Sequence, residues 1–231
     1  MTFDVLKKIK LYGISKSVKF VFFELYLKLV NEPLFGSFSQ GGEDLILDKL
    51  LGNKKTGFYV DIGAYDPVKF SNTNRFYKRG WHGINIEPNA TNFSKFEHMR
   101  PRDINLNVGI GENRGQLKFY VLFPATLSTF SIDDMTQHAK EGHNVVETKS
   151  IPVEKLSDVL EKHAANTTID FFSIDTEGFD LSVLKSNDWQ QFRPRAICVE
   201  KGMHAAEVDN YLTSISYKKV WNNGINSIYL T

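Results

Sequence analysis

The chain contains a single cysteine, Cys198, among its 231 residues. One thiol cannot form an internal disulfide framework, and it excludes a metal site built mainly from cysteines. Cys198 stands in the apolar run 196–199 (AICV), where a cysteine usually serves as a small buried side chain. We therefore expect Cys198 to be buried and unreactive, and the protein to work in a reducing compartment.

An excess of charge of one sign is also missing. Lys and Arg total 28 and Asp and Glu total 27, which gives a formal net charge of +1. The body of the chain has no run of basic residues interleaved with aromatic ones. The sequence therefore does not favour nucleic-acid binding. Its length suits one α/β domain with an appendage.

No apolar run in the sequence is long enough to cross a membrane. The nearest candidate lies in residues 1–35, where Glu24 and Lys28 interrupt the apolar stretch and no signal-peptide cleavage site follows. We predict an amphipathic helical appendage there, which packs on the domain or on a second subunit, or lies on an anionic membrane surface. Residues 36–231 are predicted to form one cytoplasmic domain, which a membrane-bound appendage would hold at the inner face of the membrane.

From residue 39 onward, apolar residues alternate between the period of helices and the period of strands. Strands are predicted at 58–62, 84–86, 104–108, 115–122, 169–174 and 196–199, with a terminal hairpin at 217–221 and 225–230. Helices are predicted at 39–51, 74–79, 89–99, 156–164, 181–185 and 205–212. Residues 124–148 show no clear period. This order predicts a mainly parallel sheet with an antiparallel C-terminal hairpin.

Three of the predicted strands end in acidic residues. The strand that begins at Phe58 runs into the turn 61–67 (DIGAYDP), the next strand ends at Glu87, and a later one ends at Asp175. The carboxyl ends of parallel strands meet at one edge of a sheet. We therefore expect the three strand ends to share one crevice.

The turn 61–67 lacks the repeated glycines that let a helix approach a pyrophosphate. Its two acids would repel a pyrophosphate, whereas they suit a cationic ligand such as S-adenosylmethionine. An ionised Glu87 would offer two acceptor oxygens to the ribose hydroxyls. A predicted helix begins after Ser71, Asn72 and Thr73. The hydrogen-bond donors of these residues either hold the methionine carboxylate or only cap the helix.

Six motifs in a fixed order carry a resemblance to a known family. They are SQGGED at 39–44, VDIGA at 60–64, SNT at 71–73, GWHG at 80–83, IEP at 86–88 and SIDTEG at 173–178. Through them, residues 38–230 resemble the FkbM-type S-adenosylmethionine-dependent methyltransferases. The resemblance implies the Rossmann-like class I methyltransferase fold and methylation of a hydroxyl on a sugar or a natural product.

The resemblance also implies roles for residues at matching positions. The turn 61–64 would line the methionine moiety, Glu87 would bind the ribose, residues 107–108 would lie beside the adenine, and Gln40 and Asp44 would close over the cofactor. The full cofactor-binding set that it implies is Gln40, Asp44, Asp61, Gly63, Ala64, Ser71, Asn72, Thr73, Glu87, Pro88, Asn107, Val108 and Asp175.

The sulfonium already activates the methyl group, so the protein mainly has to position an acceptor oxygen and take its proton. The predicted catalytic residues are Asp175, Glu200 and His204, with Asp175 as the first choice. Glu177 is either a further base or a structural acceptor of backbone N–H groups. Asp175, Glu177 and Glu200 also suit a divalent cation, but no ligand spacing demands one, so no metal is predicted.

Residues 124–148 are expected to recognise the acceptor. Their polar side chains suit a small-molecule sugar, nucleotide-linked or belonging to a surface polysaccharide. These side chains are Thr126, Ser128, Thr129, Asp133, Asp134, His138 and His143. Three alternatives stay open: methylation of a non-sugar small molecule, an NAD-dependent oxidoreductase or epimerase, against which the missing glycines argue, and a non-catalytic binding protein with the same fold.

Overall fold

The structure, a computed structural model, describes residues 36–231. The predicted appendage, with its membrane or subunit contact, falls in residues 1–35 and lies outside the described residues. Within the described chain, no helix is both long enough and apolar enough to cross a membrane.

The larger sheet of the described chain has seven strands. They are β1 (Phe58–Ile62), β2 (His82–Ile86), β3 (Ile104–Leu106), β7 (Phe171–Ile174), β8 (Ala196–Glu200), β9 (Lys218–Asn222) and β10 (Asn226–Leu230). Their order is β3-β2-β1-β7-β8-β10-β9. The pairs from β3 to β8 are parallel, whereas β10 runs antiparallel to both β8 and β9. The predicted fold class, a mainly parallel sheet with an antiparallel C-terminal hairpin, is confirmed.

Helices cover both faces of this sheet. They are α1 (Glu43–Leu50), α2 (Asn74–Arg79), α3 (Ala90–Met99), α5 (Leu156–Ala164), α6 (Asp180–Lys185) and α7 (Ala205–Ser214). Successive side chains of a strand point to opposite faces, so Val60 packs in one core with α5, α6 and α7, and Tyr59 packs in the other with α1 and α2. Cys198, which was predicted to be buried, is 1% exposed, and Trp81 is 0% exposed.

A second, three-stranded sheet stands beside the carboxyl ends of the parallel strands. It consists of β4 (Gly109–Ile110), β5 (Gly115–Phe123) and β6 (Asn144–Glu154) in the order β4-β6-β5. A 3₁₀ turn (Ala125–Leu127) and helix α4 (Ile132–Lys140) connect β5 to β6. Residues 124–148, which show no clear period in the sequence, thus contain this turn, α4 and the first part of β6. Most of β6 is exposed and is held by backbone pairing with β5, so it shows no apolar alternation.

Two predicted element boundaries were wrong. Helix α1 begins at Glu43 rather than after Ser39, and Ser39 lies before the helix, where its hydroxyl donates to the carboxylate of Asp44 in the first turn. The third strand ends at Leu106 rather than at residue 108. Asn107 leaves the ladder and donates its side-chain amide to the carbonyls of Glu87 and Pro88.

Candidate active site

A cavity of about 490 Å³ opens where the carboxyl ends of the parallel strands face the second sheet. Strands β1, β2, β7 and β8 place Asp61, Glu87, Asp175 and Glu200 in its wall. Its size is that of a small-molecule site, and its position at the strand ends is the usual one in open α/β sheets. The expected common crevice therefore exists.

Most of the predicted site residues line this cavity. Those that do are Gln40, Asp61, Gly63, Ala64, Ser71, Asn72, Glu87, Pro88, Val108, Asp175, Glu177 and Glu200. The second acid of the β1 turn does not, because Asp66 pairs with Lys95 at 2.9 Å and accepts the backbone N–H groups of Val68 and Lys69. Of the two acids expected to face the ligand, only Asp61 does so.

Four predicted site residues lie outside the cavity wall. Asp44 is buried and accepts hydrogen bonds from the Ser37 and Ser39 hydroxyls, so it shapes the segment before α1 rather than closing over a ligand. Asn107 braces the backbone behind Glu87, as described above. His204 immediately precedes α7, and its Nδ1 lies 3.7 Å from Oε1 of the exposed Glu207. Thr73 is fully buried and contacts the site through Asp61 and Ser71.

Glu87 is held at the end of β2 by two backbone donors. Its Oε2 accepts the N–H of Tyr65 and its Oε1 accepts the N–H of Asn89, each at 2.7 Å. The residue is 5% exposed. Burial raises its pKa to about 7, although the two N–H groups and Lys95 oppose that rise. Each oxygen keeps a further lone pair, so an ionised Glu87 can accept two hydroxyl groups from the cavity.

The turn after β1 brings the backbone of β1 close to that of β7. The N–H groups of Gly63 and Ala64 both donate to the carbonyl of Ile86, and Gly63 has a φ of +78°. A Cβ at Gly63 would lie 1.8 Å from the carbonyl oxygen of Asp175. Only glycine fits at this position, which explains the glycine of the DIGA motif.

Three carboxyl groups form a cluster at the β7 and β8 ends of the cavity. Asp175, Glu177 and Glu200 each offer an oxygen within 4.8 Å of the others, and all three are half-buried. Burial and the neighbouring carboxylates raise the pKa of Asp175 to about 7 and raise the pKa values of Glu177 and Glu200 well above the ordinary value of a glutamate. A hydrogen bond joins Asp175 and Glu200. This contact lowers the pKa of Asp175 and raises the pKa of Glu200, so it favours the proton on Glu200 and makes Asp175 the acceptor.

The structural role considered for Glu177 belongs to Asp180 instead. Asp180 is 3% exposed, and its Oδ1 accepts the backbone N–H of Thr176 at 2.9 Å and the Thr176 hydroxyl at 2.8 Å. Glu177 faces the cavity, where its Oε2 lies 4.0 Å from Nε2 of His138. Neither ring nitrogen of His138 has a hydrogen-bond partner among the described residues.

The segment between β5 and β6 forms the opposite wall of the cavity. Of its predicted polar set, Thr126, Ser128, Asp134 and His138 line the cavity. Thr129 is buried and donates its hydroxyl to the carbonyl of Glu177, which ties this wall to the carboxyl cluster. The sequence analysis missed Phe119, Phe130, Gln137, Glu141, Lys201 and Met203, which also line the cavity. The helical spacing of Asp134, Gln137, His138 and Glu141 could have indicated a shared face of α4.

The comparison with protein families gives one match. A family model described as the methyltransferase FkbM domain matches residues 61–219. This range begins at the end of β1 and contains β2, β7 and β8, and the ends of these four strands form the cavity. No curated protein matches the chain.

Several solved structures resemble the fold. The METTL16 methyltransferase domain is 14% identical with a TM-score of 0.45, and the match covers 81% of this chain but only 64% of that domain. The human methyltransferase 10 domain containing protein is 13% identical with a TM-score of 0.46 and coverage of 95% and 96%. The 1,6-didemethyltoxoflavin-N1-methyltransferase of Burkholderia thailandensis, which has S-adenosylhomocysteine bound, is 11% identical with a TM-score of 0.40 and coverage of 94% and 88%. Because these TM-scores are below 0.5, the family match alone identifies the chain.

Proposed function

Because the chain belongs to the FkbM methyltransferase family, we propose that it transfers the methyl group of S-adenosylmethionine to a hydroxyl group of a sugar. Methyl transfer from S-adenosylmethionine follows from the family; the sugar hydroxyl is the proposed part. One observation supports the sugar hydroxyl most directly: a single cavity contains both the Asp175–Glu200 pair, which can accept a proton, and a polar wall formed by α4 and the 3₁₀ turn.

The residues at the β1 and β2 ends fit the cofactor. Glu87 has a free acceptor position on each oxygen for two ribose hydroxyls, and Val108 and Pro88 add apolar surface for the adenine. No lysine or arginine lines the cavity wall beside Asp61 among the described residues, so its carboxylate is available to an ammonium group of the ligand. When bound, S-adenosylmethionine supplies a methyl group activated by the sulfonium.

The carboxyl pair supplies the proton acceptor for the reaction. With a pKa of about 7, Asp175 is ionised often enough to take a proton and basic enough to hold it. Protonated Glu200 donates a hydrogen bond to the Asp175 carboxylate while keeping its own proton, and this bond holds that carboxylate in place. The walls of the cavity hold the acceptor hydroxyl beside Asp175, and this positioning provides most of the rate enhancement.

The negative charge of the cavity wall favours binding of the sugar part of an acceptor inside the cavity, and disfavours a phosphate there. Lys201 is the only lysine or arginine among the described residues of the wall, which also carries Asp134, Glu141 and Glu177. A diphosphate inside the cavity would meet these acids. A nucleotide-linked acceptor would therefore keep its diphosphate outside, and a surface-polysaccharide sugar would need no such arrangement.

Isothermal titration with S-adenosylmethionine and S-adenosylhomocysteine is the first test. Micromolar binding is expected, and binding to neither would contradict the cofactor assignment and favour a non-catalytic binding protein. The loaded protein is then offered nucleotide-linked sugars, oligosaccharides and, as the competing class, phenolic small molecules, with radiolabelled methyl as the readout. Labelling of phenols alone would contradict the sugar acceptor.

Asp175→Asn separates binding from chemistry. We expect this variant to bind S-adenosylhomocysteine and to lose at least a hundredfold in the rate of methyl transfer, in line with the loss of a general base. Glu97→Gln, an exposed change on α3 away from the cavity, is the matched control. Full activity of Asp175→Asn would assign the proton acceptor elsewhere.

A further inference from the structure

Arg100, which no sequence motif singled out, lies buried directly behind the cofactor side of the cavity. It is 1% exposed and does not line the cavity itself. Its guanidinium lies 3.5 Å from the carboxylate of Asp103 and donates to the hydroxyl of Tyr59 at 2.9 Å. The ring of Tyr77 lies 4.6 Å from its Cζ. Arg100 is thus anchored on the side of β1 and α3.

The other side of the same guanidinium holds the loop that precedes α2. Arg100 donates to the carbonyl of Pro67 at 2.6 Å, to the hydroxyl of Ser71 at 3.2 Å and to the hydroxyl of Thr73 at 3.4 Å. Asn74 contributes a more distant acceptor at 3.5 Å. Five donors in a rigid planar group can fix several acceptors at once, which a lysine cannot do.

The hydrogen bonds of this loop converge on Asp61. The Ser71 oxygen already accepts from Arg100 and from the backbone N–H of Asn74, so its own proton points to the oxygen of Thr73, 3.2 Å away. Thr73 in turn donates to Oδ2 of Asp61 at 2.6 Å. Arg100 therefore orients both hydroxyl groups so that Asp61 receives a donor.

We propose that Arg100 is a positioning residue of the cofactor site, which sets the loop 67–74 and, through Ser71 and Thr73, the carboxylate of Asp61. The inference rests on the proposed function, because the ligand that Asp61 meets is S-adenosylmethionine or its demethylated product. Arg100 acts without touching that ligand.

The electrostatics of Asp61 agree with this arrangement. Burial raises its pKa, whereas the Thr73 hydroxyl, the Arg100 charge and the Ser173 hydroxyl lower it, and Asp103 raises it. Glu87 and Asp175 are the other carboxyl groups whose charges interact with Asp61. Because these two groups titrate near pH 7 themselves, the informative quantity is the difference between a variant and the wild type at each pH.

Two variants each delete one buried hydroxyl that contacts Arg100. Thr73→Val removes the hydroxyl that faces Asp61, and Tyr59→Phe removes the one that donates to Asp103. S-adenosylhomocysteine is the titrant, at pH 6.5 and pH 8.5, with thermal unfolding recorded alongside. We expect Thr73→Val to weaken binding about tenfold at pH 8.5, and more at pH 6.5, because its Asp61 is more easily protonated. Tyr59→Phe should lower the unfolding temperature while binding stays within twofold.

Changes at Arg100 itself complete the test. Arg100→Met removes the positive charge and leaves the buried Asp103 without its ion-pair partner, which destabilises the fold. The binding data of this variant are therefore used only if its circular dichroism is that of a folded protein. Arg100→Lys keeps the charge, and its affinity should lie between those of the wild type and Arg100→Met.

The outcomes separate the two proposals. If the wild type binds S-adenosylhomocysteine and Thr73→Val binds it within twofold of the wild type at both pH values, the role of Arg100 is overturned and the proposed function is not. The same holds if Tyr59→Phe weakens this binding as much as Thr73→Val does. A wild type that does not bind S-adenosylhomocysteine would overturn the proposed function and this inference together.

Discussion

At the scale of single residues, Glu87 shows how a buried acid can be both stabilised and available. Two backbone N–H groups fix its oxygens, yet it keeps an acceptor position on each for a ligand. Its pKa of about 7 means that a proton competes with the ligand near neutral pH. A free surface glutamate would be ionised at neutral pH but would hold neither oxygen in place.

Glu87→Gln is expected to weaken the binding of S-adenosylhomocysteine at least tenfold at pH 8. The amide has one acceptor oxygen, and its NH₂ group faces a backbone N–H, so a hydrogen bond to a charged acceptor, worth about 1.5–3 kcal/mol, is lost. Isothermal titration measures the effect, with Glu97→Gln as the control. Equal affinities of Glu87→Gln and Glu97→Gln would show that Glu87 does not contact the ligand.

At the scale of elements, the turn after β1 depends on the space available to Gly63 as well as on its backbone angle. Gly142, after α4, has a similar φ of +86°, but no heavy atom lies within 4 Å of its Cβ position. The two glycines therefore allow the angle and the space to be tested separately.

Gly142→Ala should cost about 1 kcal/mol of unfolding free energy, the usual cost of an alanine in the left-handed region. Gly63→Ala should cost several times more and abolish S-adenosylhomocysteine binding, because the added methyl group collides with the Asp175 carbonyl and pushes β1 from β7. Chemical denaturation and titration of both variants provide the measurement. Similar unfolding free energies for the two would mean that the angle, and not the close approach, requires glycine at 63.

Helix α4 is a second element whose role can be tested on its own. Ser131 caps it, because its hydroxyl accepts the N–H of Asp134 and donates to the Asp134 carboxylate. Ser131→Ala should cost about 1 kcal/mol and leave S-adenosylhomocysteine affinity unchanged, since α4 lines the wall opposite the strand ends, where we propose that the acceptor binds. Thermal unfolding and titration give the two values. A loss of cofactor affinity would place α4 in the cofactor site instead.

At the scale of the whole molecule, the cavity gathers acids whose pKa values are raised. Glu87 and Asp175 both titrate near 7 in the folded state, whereas their unfolded values are 4.5 and 3.8. Between those values and pH 7 the folded state binds more protons than the unfolded chain, so the unfolding free energy falls as pH rises. The pKa values of Asp48, Asp66 and Asp209 are lowered, so these groups change the unfolding free energy with pH only below about pH 4.

The ligand-free protein should therefore unfold at a lower temperature at pH 8 than at pH 5.5. Differential scanning fluorimetry across this range measures the slope. Glu200→Gln should reduce the slope, because the amide can still donate to Asp175 but no longer loses a proton, whereas Glu97→Gln should keep it. An unfolding temperature that rises from pH 5.5 to pH 8 would show that these acids are ionised throughout.

Several features of the fold and the site could be predicted because they depend on neighbouring residues. Apolar periodicity placed β1, β7, α5 and the terminal hairpin within a few residues of their observed bounds. The acids at the strand ends could be assigned to one crevice because parallel strands align their carboxyl ends. Asp44, Asp66 and His204 do not line the cavity because each has a partner nearby in the chain, which the motif pattern does not show.

The sequence by itself determined the fold class, the glycine turn after β1 and the positions of Asp61, Glu87 and Asp175, because backbone periodicity and strand polarity fix these locally. Only the tertiary structure decided that Glu200 shares a proton with Asp175, that α4 and β6 form a wall opposite the strand ends, and that Arg100 reaches Asp61 through two hydroxyl groups. These contacts join segments far apart in the chain. They depend on sheet register and on burial, and no local pattern of residues specifies either.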